Sequence, residues 1–314
     1  MKMKRLYLLI IVIISILLIA GCASKSKGTS AGYIGGTNGL KISFADGEPP
    51  EKVLDANNEQ FSITLLLRNE GERDIKAGGV KTTIAGINPA SFQIKDITLK
   101  NGNDITGSRR EQDKVVAGGQ DEITYSAGYK EDEPTDVPFN LGVNVCYNYG
   151  TDAVSQICLR KQASARISEE GACQIYEDKK ISNSAAPIQI MSLSERPSGI
   201  NKVITIFDIE NKGKGAVFSK DAFGSKACIA DQEKDKENRI NVKVTSTADI
   251  GIKCGKLDGK AEGIVRLVEG KTTITCEIDT SRLSETTFEN PLKISLDYVY
   301  KEDISKAVLV QNAI

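Results

Sequence analysis

The sequence runs to 314 residues, with 41 Lys and Arg against 42 Asp and Glu, and contains neither histidine nor tryptophan. Without histidine there is no Ser-His-Asp triad, no histidine-bearing zinc or copper site and no imidazole general base. A formal net charge of -1 with interspersed signs offers no basic face to nucleic acid.

The first 21 residues read as a signal peptide. Met1-Lys2-Met3-Lys4-Arg5 supplies a cationic start, and Leu6 to Ala20 is apolar apart from Tyr7 and Ser15. That run is about 15 residues, against the roughly 20 a spanning helix needs, which suits a signal-peptide core. It ends in Ile19-Ala20-Gly21-Cys22, which resembles the lipobox of prokaryotic lipoproteins. The resemblance implies that Cys22 takes a diacylglyceryl group and that Ile19, Ala20 and Gly21 are read by the peptidase that cuts before it. It also implies membrane lipid as a partner and an extracytoplasmic address, at the cell surface or in the periplasm. An uncleaved signal anchor with an ordinary Cys22 is the alternative. Residues 22–39, rich in Gly, Ser, Thr and Lys, read as a flexible tether.

Beyond the tether helical periodicity gives way to short alternating runs bounded by Gly, Asn, Asp and Pro, the pattern of strands. Two modules are expected, at residues 40–170 and 171–314. In the first, Leu40 to Phe44, Phe61 to Leu67, Val80 to Ile84, Phe92 to Ile94, Ile97 to Leu99 and Ile123 to Tyr125 read as strands. Leu141 to Cys146 and Val154 to Cys158 then suggest a hairpin turning at Asn148–Asp152. The second module offers Ile188 to Ile190, Val203 to Ile209, Ile240 to Val244, Ile252 to Cys254, Ile264 to Leu267, Thr273 to Ile278 and Leu292 to Tyr298. Strands this short, in two sets, predict an all-β chain of two tandem sandwiches, with the boundary in the polar stretch Ser168 to Ala185.

Two internal matches support duplication. Leu65 to Gly71 aligns with Phe207 to Gly213, both ending Asn-x-Gly, and Leu141 to Tyr147 aligns with Ile294 to Tyr300. The Asn-x-Gly turn suits a glycine at positive φ and an asparagine bonded to nearby backbone. A strand ending this way resembles the early part of immunoglobulin-like modules of the CARDB type, found on prokaryotic surface proteins. The stretch Cys146 to Ala153 with Cys158 also resembles lipoproteins and surface proteins of archaea. These resemblances imply an Ig-like fold and a task in adhesion or assembly, with another envelope protein or polymer as partner and no cofactor.

Besides Cys22 there are six cysteines, an even number that favours disulfides in an exported chain. The hairpin reading would pair Cys146 with Cys158. Cys254 and Cys276 are the next pair, which leaves Cys173 with Cys228 by elimination. No Cys-x-x-Cys occurs, so a metal cluster is not expected.

Other motifs weaken on inspection. Gly28-x-Ser30-x-Gly32 matches a nucleophile elbow and Ser24-x-x-Lys27 a penicillin-binding pattern, but both lie in the tether without the flanking elements the chemistry needs. The acidic loop Lys130 to Asp136 lacks calcium-loop spacing and reads as a solvated turn. Tyr147 and Tyr149 share a face and are a candidate contact patch or simply core. The expectation is a non-enzymatic binding or scaffolding protein. Its alternatives are an accessory enzyme using carboxylates only, or a solute-binding lipoprotein.

Overall fold

The computed structural model describes residues 32–56, 59–112, 114–164, 173–224 and 234–313. In the first part of the chain the strands are β1 (Leu40–Phe44), β2 (Lys52–Leu54), β3 (Phe61–Asn69), β4 (Val80–Ala85), β5 (Thr98–Lys100), β6 (Arg109–Glu111), β7 (Lys114–Val116) and β8 (Gln120–Ala127). A strand of 23 residues, β9 (Val137–Leu159), follows. Next come β10 (Glu177–Asp178), β11 (Ile181–Asn183), β12 (Ile188–Pro197), β13 (Lys202–Asn211), β14 (Ala216–Phe218), β15 (Arg239–Ser246), β16 (Gly251–Cys254), β17 (Glu262–Arg266) and β18 (Lys271–Asp279). The last, β19 (Phe288–Gln311), has 24 residues. Only three short 3-10 turns interrupt this all-β plan among the described residues.

Alternation decides which side chains enter the core. In β8 Ile123, Tyr125 and Ala127 are buried and their neighbours exposed, and in β18 Thr272, Ile274, Cys276 and Ile278 are buried in the same rhythm. Phe92, expected in a strand, is fully buried in a turn instead. Its ring packs edge-on against Tyr129 and Phe139, at 4.9 and 5.1 Å between centroids.

The strands form three main sheets. β1-β3-β8 is one, β10-β12-β13-β18-β16 a second, and β17-β15-β19-β9-β4-β5 the spine of a nine-stranded third. Two copies of one plan are visible in the registers. Leu40 pairs with Asn69 across β1 and β3, as Ile188 pairs with Asn211 across β12 and β13. Arg68 pairs with Gln120 and Glu210 with Lys271 at the corresponding places in the next ladders. β4 joins the first half of β9 as β15 joins the first half of β19.

The two halves are joined in an unexpected way. β9 and β19 pair antiparallel along nearly their whole length, from Leu159 opposite Phe288 to Val137 opposite Val310. The pairing is centred on Asn148 opposite Val299, with Tyr149 facing Tyr298 and Tyr147 facing Tyr300. Thus β9 begins in the first half and ends packed on β12, where Thr151 Oγ1 donates to Ile188 O at 2.6 Å. β19 begins beside β15 and ends beside β2 of the first half. Each half lends its final strand to the other, and Gly32–Ile314 makes one compact unit.

The hairpin expected at Asn148–Asp152 is therefore absent, and the chain runs straight through. Tyr147, Tyr149, Thr151 and Ala153 keep facing inward and are all buried, and a turn would have thrown Tyr149 and Thr151 out of the core. Gly150 serves close approach rather than turning. It has no positive φ, and a Cβ there would overlap the Arg73 guanidinium and sit 2.6 Å from Leu296 O. Part of the expected boundary, residues 168–172, lies outside the described residues. Just after it, β10 pairs with β12 and β11 with β9, so this stretch is built into the body.

Candidate functional site

The seam along which β9 and β19 pair brings together four tyrosines, two Asn-x-Gly turns and a cluster of charged side chains. On its core side, four tyrosines stack edge to face, with Tyr147–Tyr149 and Tyr147–Tyr300 centroids 5.6 and 5.8 Å apart. Tyr147 and Tyr149 are 0% and 3% exposed, so they form core and not the contact patch that was one reading of their position. Burial raises both hydroxyls well above the ordinary tyrosine range.

The two Asn-x-Gly turns close on these tyrosines. Asn69 Oδ1 accepts from Gly71 N at 3.2 Å and from the Tyr149 hydroxyl at 3.0 Å, while Asn69 Nδ2 donates to Arg73 O at 2.7 Å. Asn211 Oδ1 accepts from Gly213 N and the Tyr300 hydroxyl, both at 3.1 Å, and its Nδ2 donates to Gly215 O at 2.9 Å. The asparagine does what the motif predicted. The glycine does not, since neither Gly71 nor Gly213 has a positive φ. Glycine is needed because a Cβ at either place would overlap the tyrosine hydroxyl. The weaker internal match is also shifted by two residues, because Tyr149, not Tyr147, is the counterpart of Tyr300.

On the outer side of the seam, Arg73 Nη2 donates to Asp297 Oδ1 at 2.9 Å, and Nη1 lies 4.0 Å from Asp152. Asp152 also accepts from Ser295 Oγ at 2.7 Å and pairs with Lys293 at 3.2 Å. Burial works to raise the Asp152 carboxyl, but Ser295, Arg73 and Lys293 together hold it below the usual carboxylate range.

The start of the described chain is bound here too. Glu72 accepts from Ile34 N at 2.9 Å, Gly35 N at 3.1 Å and Ala185 N at 2.6 Å. Burial, then Asp152 and Glu72, push the Tyr33 hydroxyl up to about 12. Residues 32–39, expected to belong to a flexible tether, are thus a strap fastened across the seam. No short-range pattern signals this, because the acceptor, Glu72, lies 38 residues from Ile34.

Disulfides and one buried ion pair brace the body. Cys254 and Cys276 are joined as directly opposed partners of β16 and β18. Cys158 bonds to Cys173, with Cα atoms 5.7 Å apart, in place of the expected Cys146. The expected Cys173–Cys228 pair is overturned with it. Without a turn between them, Cys146 and Cys158 lie far apart along one strand. Cys146 is itself disulfide-bonded, and Cys228 lies outside the described residues. Such bonds form in oxidising compartments, which sets this body outside the cytosol. Beside Cys158, the fully buried Glu195 carboxylate accepts from Cys158 N at 2.9 Å and pairs with Lys179 at 3.1 Å. Burial outweighs these partners and pushes Glu195 up to about 7.

The remaining sequence candidates are placed as follows. Cys22, Ile19, Ala20, Gly21, the Ser24–Lys27 pattern and Ser30 lie outside the described residues. In the acidic loop, Glu133 N donates to Asp55 at 2.8 Å, Glu133 accepts from the Tyr129 hydroxyl, and Asp136 accepts from Asn312 N at 3.1 Å. The loop is a fastening between segments. Among the described residues no group of three or more metal-ligating side chains converges, and no helix is long and apolar enough to cross a membrane.

No protein-family model and no curated protein matches the chain. Among solved structures, it is similar to the secreted serine protease VesC from Vibrio cholerae, at 9% identity over 86% of this chain and 51% of that one, with a TM-score of 0.19. It is also similar to the C-terminal globular domain of an oligosaccharyltransferase from Pyrococcus abyssi, at 8% identity over 88% and 50%, TM-score 0.22. The serine-rich repeat adhesion glycoprotein Srr1 from Streptococcus agalactiae aligns at 8% identity over 90% and 99%, TM-score 0.19. The chain spans about half the length of the first two. At these TM-scores the likenesses assign neither family nor activity.

Proposed function

We propose that this chain is a lipid-anchored, extracytoplasmic, non-enzymatic binding or scaffolding protein of the cell envelope. Membrane lipid would hold it through Cys22, and its double sandwich, of Ig-like CARDB type, would engage another envelope protein or polymer. The observation that carries the reading is the strap at residues 32–39. An anchor upstream of Gly32 holds the body at its middle seam and leaves the outer ends of both halves free to engage a partner. Asp152 and Asp297, two carboxylates at the seam, are both engaged with Arg73, which favours a structural over a catalytic role. The all-β fold also departs from the strand–helix alternation that the solute-receptor reading required.

The test is in-cell crosslinking with mass spectrometry, comparing wild type with Cys22→Ser. The reading predicts an N-terminal Cys22 peptide carrying a diacylglyceryl mass, and one envelope component captured by wild type and lost in the variant. An unmodified, soluble wild type with the same crosslinks as Cys22→Ser overturns it.

A further inference from the structure

Between the Asn69 turn and β8 the chain throws out a feature that the fold does not use. Among the described residues β6 and β7 pair only with each other, Arg109 opposite Val116 and Glu111 opposite Lys114. Every residue of both strands is exposed. An isolated two-stranded hairpin is marginally stable in water at best, yet this one stands on a stapled root. Ser108 N donates to Gly71 O at 2.7 Å, Gly107 N to Asp74 Oδ1 at 2.7 Å, and Gly118 N to Ser108 Oγ at 3.0 Å.

Its composition is unusual for an exposed hairpin. Arg109, Arg110 and Lys114 form no ion pair among the described residues, while Val115 and Val116 are 55% and 41% exposed. In sequence, residues 109–116 hold three cations against two acids, Glu111 and Asp113. Its location adds the second observation. Arg109 and Arg110 line one hollow, of about 230 Å³, together with Gly32 and Tyr33, where the described chain begins. From Cys22 to Ala31 there are ten residues, with Lys25 and Lys27 and no acid. Fully extended, ten residues reach at most roughly 33–36 Å, so an anchor at Cys22 keeps this hairpin within reach of the bilayer.

We propose that the β6–β7 hairpin docks on an anionic lipid surface, its cations against headgroups and Val115 and Val116 in the interfacial layer, so that the body is oriented on the membrane as well as tethered to it. This rests on the chain being held at the membrane through Cys22. Cations near an anionic leaflet each strengthen attachment by roughly fivefold, and the tether's own lysines add to the same field.

The test uses the mature chain beginning at Cys22. Once its disulfides have formed, the Cys22 thiol is coupled to a maleimide phospholipid in vesicles of phosphatidylcholine alone, or of equal parts phosphatidylcholine and phosphatidylglycerol. Amide hydrogen exchange is followed across residues 109–116. The expected result is exchange slowed by roughly tenfold or more on the anionic vesicles only, relieved by high salt. Arg109→Gln/Arg110→Gln/Lys114→Gln abolishes the slowing without changing exchange in β9 or β19. Unchanged exchange on both vesicles, equal slowing on both, or slowing that survives in the triple variant each overturns the proposal. Because the lipid is attached chemically, a chain that cells do not lipidate fails the Cys22 mass measurement and leaves this result standing.

Discussion

Tyr149 and Tyr300 sit on different strands in opposite halves, and each gives its hydroxyl to the asparagine of an Asn-x-Gly turn, at 3.0 and 3.1 Å. The two turns differ in burial and in partners. Asn69 is fully buried and makes a further bond from Nδ2 to Ile105 O at 3.3 Å, whereas Asn211 is only half-buried. Asn69→Ala removes the partner of the Arg73 carbonyl and of the Tyr149 hydroxyl, while Gly71 N keeps Gly39 O at 3.1 Å, and should cost about 3 kcal/mol, with Asn211→Ala costing roughly half as much. Urea unfolding measures both, and equal costs would count against the difference in burial as the cause.

Gly71→Ala and Gly213→Ala test the steric explanation of the same turns. Each places a methyl group on a tyrosine hydroxyl held in the core, and about 1–3 kcal/mol of destabilisation is expected from such overpacking. If positive φ were the reason for glycine, Gly→Asn at these positions would be tolerated. Packing predicts that asparagine is worse than alanine, which thermal melts of the two series can decide.

The Arg73 clasp is half-exposed, and its contribution is correspondingly modest. Arg73→Gln should cost about 1 kcal/mol, because the Asp297 and Asp152 pairs are partly solvated. Gly150→Ala, which drives a methyl group into the same guanidinium and toward Leu296 O, should cost more. Reversal of that order in denaturant melts would show that charge and not packing holds the outer seam.

Glu195 makes stability depend on pH with a definite sign. Its carboxyl titrates near the ordinary 4.5 when unfolded and at about 7 when folded, so folding takes up a proton between those values. Stability from this group is therefore full below pH 4.5 and declines as pH rises toward 7, by about 3 kcal/mol at most. Glu195→Gln should flatten the curve of unfolding midpoint against pH between 5 and 7.5. A wild-type midpoint that rises across that window would contradict the burial-dominated assignment.

Peptide mapping without reduction should recover Cys158 linked to Cys173 and Cys254 linked to Cys276. Replacing Cys158 and Cys173 by alanine should cost about 2–4 kcal/mol, the usual worth of closing a loop of this size. A Cys146–Cys158 peptide would instead restore the hairpin.

Much of this fold is legible in the sequence because period-two alternation is a local property, and strands such as Leu40–Phe44 and Ile240–Val244 announce themselves. The paired asparagines, too, betray the duplication. Turn chemistry misleads at Asn148-Tyr149-Gly150. Asn, Gly and Asp mark turns when nothing distant competes, but here Gly150 is small for the sake of Arg73, and Tyr149 is drawn inward by Asn69. The strap is hidden for a related reason, since Gly and Ser composition describes what a segment would do alone and not what Glu72 does to it. An exchange of strands leaves no trace in alternation, because each half of β9 carries the pattern it would have carried in a hairpin.

That exchange also governs the order of assembly. Val137 pairs with Val310, so the first half has no partner for this edge of its sheet until residues 301–310 have been made and delivered. Contacts so distant in sequence make folding slow and leave the waiting edge open to wrong partners. A second copy of the chain offers the same β19, and its strand can complete the first half as well as the native one can. Refolding at high concentration should therefore yield dimers joined by traded strands, while high dilution favours the closed monomer.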